Sequence, residues 1–232
     1  MIGGIDGCSA TVLGVRTWDE LRPVLQRLAA EQPDALESLP DPSSAYQSGP
    51  PFEIHLQAFA VDLAGELYER FGADVRLRVG VMSFPDKQLE DPRLADPLPD
   101  LPLAEQAGLD VHLAEPLTVR SGRSIEHAVL IFNQSDVDVE VTTGGGNLLS
   151  AVLDPRTGRY VGRYFGPVLA SLVGFQVARG TQTRISVWVG TTSVVPELGY
   201  AVPPGDWHLQ VIVGLADGRG LRSAPLPMTI TA

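Results

Sequence analysis

Hydrophobic and polar positions alternate in two different ways along this chain, and the change falls near its middle. Over residues 1–82, apolar side chains recur at helical spacing in some segments and at strand spacing in others. Beyond residue 109, only short segments with strand-like alternation are seen, separated by turn residues. The pattern predicts an α+β fold: a small two-layer α/β domain over residues 1–82, then an all-β immunoglobulin-like sandwich over residues 109–232.

Two helices are predicted in the first part. A capping-box pattern at residues 17–20 precedes apolar residues at helical spacing and predicts a helix over residues 18–31, with an irregular start because of Pro23. The second helix is predicted from about Ala58 to Phe71, with Gly72 as its C-cap. Its expected buried face is Ala60, Leu63, Ala64, Leu67 and Phe71.

Strands are expected on both sides of the second helix. Apolar residues alternate with polar ones from Phe52 to Leu56 and again over residues 75–81, and residues 10–15 are a further candidate strand. Five prolines and four serines between Pro33 and Pro51 predict a long loop. This order of strands and helices predicts a small sheet with helices covering one of its faces.

Residues 83–108 carry five prolines and six acidic side chains, opposed by Lys87 and Arg93 alone. Because proline removes backbone donors and is excluded from helix interiors, we predict an extended acidic linker here.

Charge also differs between the halves: residues 1–116 hold 20 acids and 8 bases, and residues 117–232 hold 8 acids and 9 bases. The halves are therefore expected to be distinct domains.

The second half is predicted to consist of nine strands. They span residues 110–114, 125–132, 137–143, 148–154, 160–164, 172–178, 184–190, 207–214 and 227–231. Turns are predicted where asparagine, aspartate, glycine and proline cluster, at residues 133–136, 154–158, 203–206 and 217–220.

Several of these motifs occur together in one known family. An asparagine-containing turn (Asn133-Gln134-Ser135), an aspartate-glycine hairpin (Asp154 to Gly158) and a proline-glycine turn before Trp207 resemble the small sandwich of bacterial intracellular proteinase inhibitors. The resemblance spans residues 110–232. It implies an immunoglobulin-like scaffold, and it implies proteinase inhibition through a sandwich loop as one candidate function.

The segment from Arg159 to Phe165 is the candidate partner-binding site. It concentrates arginine and tyrosine, which are enriched at interface hot spots, and we single out Arg159, Tyr160, Arg163 and Tyr164. Simple alternation would place Tyr160 and Tyr164 on one strand face, with both arginines and Phe165 on the other. The alternative is a structural hairpin whose aromatic face packs inside the sandwich.

Composition excludes several other functions. A net charge of −11 argues against nucleic-acid and membrane partners, because both present negative charge. One cysteine and four scattered histidines provide no disulfide and no metal-ligand spacing, so no cofactor or metal is expected. Asp136, Asp138 and Glu140 alternate along one strand, but a solvated strand face explains them better than a cation site.

No catalytic residue can be assigned from these patterns. We therefore expect a non-enzymatic module that binds an unidentified protein, with the intracellular proteinase inhibitor as the alternative. The single cysteine fits a reducing compartment, and a cytoplasmic location is expected.

Overall fold

A computed structural model of the chain describes residues 18–38, 51–95, 102–144, 148–167 and 171–232. Strands are the commonest secondary structure in this part of the chain, with two α-helices near its start. The candidate strand at residues 10–15 and most of the predicted loop between Pro33 and Pro51 lie outside the described residues.

The first helix, α1 (Trp18–Glu31), has the predicted bounds. Leu21 and Leu25 are four residues apart, so they lie on the same side of the helix, and both are fully buried. Asp19 and Glu20 in the first turn interact favourably with the positive end of the helix dipole. Pro23 lies inside the helix, near its start.

The second helix, α2 (Val61–Phe71), begins three residues later than predicted. Residues 58–60 form a turn instead, in which Ala60 N donates to Gln57 O at 2.9 Å. The predicted buried face is confirmed, since all five of its residues are buried. Gly72 ends the helix with φ +53°, a conformation that favours glycine, and its N–H donates to Tyr68 O.

A four-stranded sheet accompanies these helices. Its strands are β1 (Leu36–Ser38), β2 (Phe52–Leu56), β3 (Val75–Val79) and β4 (Met82–Phe84), paired in that order. β2 and β3 are parallel, as their connection through α2 requires, and the other two pairs are antiparallel. β1 therefore corrects the prediction of a continuous loop after Pro33.

The two sides of this sheet differ in polarity. Phe52, Ile54 and Leu56 on β2 are buried, and they lie in register with buried residues of β3. On the opposite face, Arg76 Nη1 donates to Glu53 Oε1 at 3.0 Å across the same two strands. The alternation read from the sequence is thus confirmed, and β3 ends at Val79, two residues earlier than predicted.

The predicted acidic linker, residues 83–108, is more regular than expected. Its first two residues belong to β4, and Pro92–Ala95 and Ala104–Ala107 form short 3-10 helices. Residues 96–101 lie outside the described part. The expectation of an extended segment is wrong at both 3-10 helices. Pro92 stands at the first position of its helical turn, where proline loses no hydrogen bond, and the second turn, Ala104–Ala107, contains no proline.

Twelve strands follow in the second half. They are β5 (Leu109–Leu113), β6 (Leu117–Arg120), β7 (Ser124–Asn133), β8 (Val139–Thr143), β9 (Leu148–Leu153), β10 (Tyr160–Arg163), β11 (Val173–Val177), β12 (Gln182–Gly190), β13 (Thr192–Ser193), β14 (Gly205–Leu215), β15 (Gly220–Arg222) and β16 (Leu226–Thr231). All nine predicted strands are present, with ends shifted by at most two residues. β6, β13 and β15 were not predicted, since two to four residues are too few for a periodic signal.

These strands form a β-sandwich of two sheets. The small sheet is antiparallel and has the order β12-β7-β5. The large sheet holds the other nine strands, and its long strand β14 pairs with β8, β9, β15 and β16. Ser150 Oγ on β9 donates to Trp188 O on β12 at 2.7 Å and links the two sheets. The predicted β-sandwich is confirmed by this arrangement.

The α/β part of the chain packs against the sandwich. Arg123, in the turn before β7, lies with its guanidinium carbon 3.3 Å from the ring centroid of Phe59. Phe84 stacks on Tyr200 with ring centroids 5.8 Å apart, and Tyr200 Oη donates to Pro85 O at 3.3 Å. The division of the chain into two domains remains a prediction.

Candidate functional site

The hairpin between β9 and β10 carries the predicted site. Its turn is closed by backbone bonds from Asp154 N to Arg159 O and from Gly158 N to Asp154 O, both 2.8 Å. Asp154 Oδ1 accepts the N–H of Arg156 at 2.7 Å, and this bond lowers the pKa of the Asp154 carboxyl. Gly158 has φ +66°, as the turn requires.

A β-bulge in β10 changes which side chains share a face. Tyr160 pairs with Leu153, yet Gly162 pairs with Val152, so one additional residue is inserted on β10. Beyond the insertion, Arg163 pairs with Ala151 and therefore lies on the same face as Tyr160. The prediction that Tyr160 and Tyr164 share one face, opposite Arg163, is wrong for this reason.

The four predicted site residues have different environments. Tyr160 is 9% exposed, and its burial raises the pKa of the phenol, an effect that the nearby Arg163 side chain opposes. Arg159 is exposed, while Arg163 is half-buried, with Nε donating to Tyr164 O at 3.3 Å. Tyr160 therefore belongs to the structural hairpin, and Arg163 and Tyr164 lie where a partner can reach them.

Tyr164 stacks on a residue that the sequence reading did not single out. Its ring lies 5.3 Å from that of Trp188, centroid to centroid, with 19° between the planes. Trp188 is 47% exposed, which is unusual for so large an apolar side chain. Burial raises the pKa of Tyr164, and its Oη donates to Pro167 O at 3.0 Å. We call Arg163, Tyr164 and Trp188 the aromatic corner.

Glycine at two positions makes room for this stack. A Cβ atom at Gly190, the last residue of β12, would lie 2.5 Å from Tyr164 Cα. A Cβ atom at Gly166 would collide with Tyr164 Oη. The backbone of Tyr164 thus approaches the edge of the small sheet closely, and any side chain at Gly190 would displace it.

The aromatic corner continues into the outer face of the small sheet. The cross-strand pairing and the burial of the intervening residues place ten side chains on this face. They are Asp110 and His112 on β5, Glu126, Ala128, Leu130 and Phe132 on β7, and Gln182, Arg184, Ser186 and Trp188 on β12. We call this surface the β7 face.

The middle of the β7 face is apolar. Ala128 is buried by its neighbours, and Leu130 and Phe132 are half-buried, although all three point away from the sandwich core. The uninterrupted apolar run from Ala128 to Phe132 is the sequence signal for this surface, because a strand with one solvated face alternates in polarity. A reading that looked only for strands and hot-spot residue types does not detect it.

A concave surface lies at the edge of the sandwich between β5, β6, β14 and β16. It has a volume of about 710 Å³. Its lining includes His112, Glu115, Asp206, Trp207 and His208, together with leucine, proline and threonine side chains. His112 Nε2 lies 2.7 Å from Asp110 Oδ2, and Trp207 Nε1 donates to Pro203 O at 2.9 Å, so these polar groups have partners within the protein.

The acidic residues considered as metal ligands do not form a site. Asp136 precedes β8, and Asp138 Oδ1 accepts the backbone N–H of Arg179 at 3.0 Å. Among the described residues, no three histidine, cysteine, aspartate or glutamate side chains converge as a metal site would require. Cys8 and residues 145–147 lie outside the described part. No described helix has the length and apolar character needed to span a membrane.

Comparisons with known proteins give no family. No family model and no curated protein matches the sequence. Among solved structures, a CARDB domain from Pyrococcus furiosus is 10% identical, with 53% of this chain and 87% of that chain covered and a TM-score of 0.28. An ASH/PapD-like domain of human CEP192 is 12% identical, with 62% and 94% covered and a TM-score of 0.25. The cupredoxin domain of amoB from Nitrosocaldus yellowstonii is 10% identical, with 47% and 56% covered and a TM-score of 0.22.

Similarities at this level add nothing to the fold assignment, which rests on the strand pairing described above. No family model matches the chain, and that includes the models of proteinase-inhibitor families. The turn motifs that resemble that family are present as turns, and they are features of the scaffold.

Proposed function

We propose that this protein is a non-enzymatic interaction module whose immunoglobulin-like sandwich binds another protein through the aromatic corner and the adjoining β7 face. The observation that carries the proposal is the exposed stack of Trp188 on Tyr164, on the same face of the small sheet as the apolar side chains of β7. Tryptophan, tyrosine and arginine are the residue types that dominate binding energy at protein interfaces. A cytoplasmic location is part of the same proposal.

The arrangement of ionisable groups supports a binding role over catalysis. Asp154 owes its lowered pKa mainly to a backbone N–H in its own turn, and Tyr160 owes its raised pKa to burial in the core. Neither residue lines the concave surface at the sandwich edge. Catalytic sites instead gather perturbed groups in one pocket.

The test compares capture by three immobilised proteins from a lysate that also contains a differently tagged copy of the chain. They are the wild type, Trp188→Ser, and Leu172→Ser as a control, since Leu172 is a large apolar side chain with 62% exposure that lies before β11, on the other sheet. The proposal requires a protein that the wild type and the control retain and that Trp188→Ser loses at least about tenfold, with unchanged melting curves. Equal capture by all three would exclude this surface.

The proteinase-inhibitor alternative rests on the turn resemblance alone. It requires that a sandwich loop enter a protease active site and stop substrate turnover. Titrating purified protein into serine proteases and following peptide hydrolysis distinguishes the two functions. Inhibition that survives Trp188→Ser would favour the alternative.

A further inference from the structure

We propose that the partner of the β7 face is a second copy of this chain, which stacks its own β7 face on the first around a two-fold axis. The inference rests on the proposed function and names the occupant of the same surface. Three features of the described residues support it: the apolar column on β7, the opposite charges on its two sides, and the position of Trp188.

The apolar column runs along the middle of the small sheet. Phe132, Leu130 and Ala128 follow one another on the outward side of β7, while Val129 and Ile131 between them are fully buried on the inward side. A strand that is apolar on both sides is typical of a sheet covered on both faces. Glu126 ends the column, so it marks the rim of the covered area.

The two strands beside the column carry opposite charges. Asp110 lies on β5 directly beside Phe132, and Arg184 lies on β12 directly beside Leu130. The side chain of Arg184 makes no ion pair or hydrogen bond with any residue that the structure describes. An unpaired guanidinium at the margin of an apolar surface is suited to a carboxylate on the partner.

A two-fold axis parallel to β7 brings these opposite charges together. Such an axis places β12 of each copy over β5 of the other and β7 over β7. Stacked sheets lie about 10 Å apart, and the level of Arg184 differs from that of Asp110 by two residues, about 7 Å along the strand. His112 lies on β5 at the level of Arg184 and contacts Asp110 Oδ2 at 2.7 Å, so Oδ1 is the oxygen that faces the arginine. The long arginine side chain spans the offset, so two Arg184–Asp110 pairs form symmetrically.

The same axis gives Trp188 a partner. On one side of β7, Trp188 of β12 pairs with Glu126, two residues along the strand from the Ser186–Ala128 pair. On the other side of β7, Ala114 N donates to Ala128 O, so the turn after β5 lies at about the same level as Trp188. Across the interface Trp188 therefore lies over the turn after β5 of the second copy, which contains Ala114 and Pro116. Tryptophan over the proline and alanine of this turn is a favourable contact that would bury part of the exposed ring, and the exposed Glu115 between them lies at the margin.

Sedimentation equilibrium of the full chain from about 1 to about 100 µM provides the first test, a range suited to the small area of a three-stranded face. The expected result is a reversible shift from the 24.8 kDa monomer towards twice that mass. Leu130→Glu should raise the dimer dissociation constant at least about tenfold while the protein stays folded. Leu172→Glu, before β11 on the other sheet, is the matched control and should leave the dissociation constant unchanged.

Charge reversal tests the two-fold geometry. Arg184→Glu and Asp110→Lys should each be monomeric, because each places like charges opposite each other twice. An equimolar mixture of the two variants should dimerise. In the mixed pair, one contact is the native arginine–aspartate pair, and the other joins the introduced glutamate to the introduced lysine, so both contacts are complementary. Thermal melts confirm that each variant is folded. If Asp110→Lys is not folded, Asp110→Asn replaces it, and its mixture with Arg184→Glu should associate more strongly than Arg184→Glu alone, because the mixed pair has one native contact and no like charges opposite each other.

A wild type that stays monomeric across the range would overturn the inference, as would a mixture of folded Arg184→Glu and Asp110→Lys that does not associate. If the wild type is monomeric while Trp188-dependent capture of another protein persists, the surface is correct and its partner is a different protein. If the wild type is monomeric and Trp188→Ser captures the same proteins as the wild type, both this inference and the proposed function fail.

Discussion

Asn133 shows how one buried polar side chain organises the sandwich. Its Nδ2 donates to Val137 O and to Val177 O, both at 2.8 Å, and its Oδ1 accepts the N–H and the hydroxyl of Ser135. The residue is fully buried, so these bonds replace those it would make with water. They join the end of β7 to the turn before β8 and to the end of β11.

Asn133→Ala should lower the free energy of unfolding by about 2–4 kcal/mol, because it removes the donor to the buried Val177 carbonyl and to the partly buried Val137 carbonyl and leaves a cavity. Gln134→Ala is the neighbouring control, since Gln134 is exposed and should cost less than about 0.5 kcal/mol. Urea unfolding followed by tryptophan fluorescence measures both. Equal effects at the two positions would contradict this role for Asn133.

Tyr160 gives a prediction about alkaline pH. Burial raises its pKa in the folded protein above the unfolded value of 10.0, so the folded state holds the proton more tightly. Its contribution to stability is complete below pH 10 and is lost as pH rises above that value. Wild-type stability should therefore fall more steeply above pH 10 than that of Tyr160→Phe.

Denaturant titrations at several values between about pH 8 and pH 11 compare the two proteins, and the difference approaches about 1.4 kcal/mol per pH unit above the unfolded pKa. Tyr164 and Tyr200, whose pKa values are also raised by burial, are present in both proteins and cancel in the comparison. Parallel curves would show that Tyr160 ionises as freely in the folded state as in the unfolded chain.

At the scale of elements, the β6–β7 turn determines how closely the α/β part approaches the sandwich. Gly122 in this turn has φ +73°, and a Cβ atom there would lie 2.7 Å from Phe59 N. Arg123, next in the turn, covers the Phe59 ring and lies 3.6 Å from Asp34 Oδ2 through its Nη1. The turn before β7 and the turn before α2 are therefore in direct contact, and the contact leaves no room for a side chain at Gly122.

Gly122→Ala should cost about 2–4 kcal/mol, because backbone strain adds to a collision with the Phe59 backbone. Gly158→Ala is the matched control: Gly158 has φ +66° but nothing within 4 Å of the added Cβ, so only strain of about 1 kcal/mol is expected. Thermal or urea unfolding distinguishes them. Similar losses of unfolding free energy in the two variants would show that the close contact with the Phe59 backbone adds no cost at Gly122.

At the scale of the whole molecule, contacts link the halves that differ in charge. Besides Phe59 with Arg123, Phe84 stacks on Tyr200, and a Cβ atom at Gly80 would lie 2.7 Å from Thr192 Cγ2. Tyr68 meets Phe84 edge-on at 5.9 Å and extends this aromatic cluster to α2. The predicted linker between the halves thus starts and ends in packed structure.

Limited trypsin digestion tests how the halves are held together. Arg93 is the exposed basic residue near the middle of the predicted linker, so cleavage after it should give fragments 1–93 and 94–232. We expect the fragments to co-elute in native gel filtration, because the Phe59 and Phe84 contacts persist, and to separate in urea. Separation in native buffer would contradict the packing, and primary cleavage within residues 120–230 would contradict the predicted domain division.

Local patterns determined much of the fold. Alternation identified β2, β3 and nine strands of the second half, and the spacing of Leu63, Ala64, Leu67 and Phe71 identified the buried side of α2. Turn chemistry identified the hairpin at Asp154 and Gly158. These features depend on residues close in sequence, whose period and backbone preferences act before any distant contact forms.

The tertiary structure decided the features on which the candidate site depends. The bulge in β10 moved Arg163 to the face of Tyr160, and the close approach of Tyr164 to Gly190 brought its ring onto Trp188, 24 residues away. Short strands such as β13 exist only because a distant strand supplies their hydrogen bonds. Register shifts and contacts between sheets have no local period, so a single sequence does not reveal them.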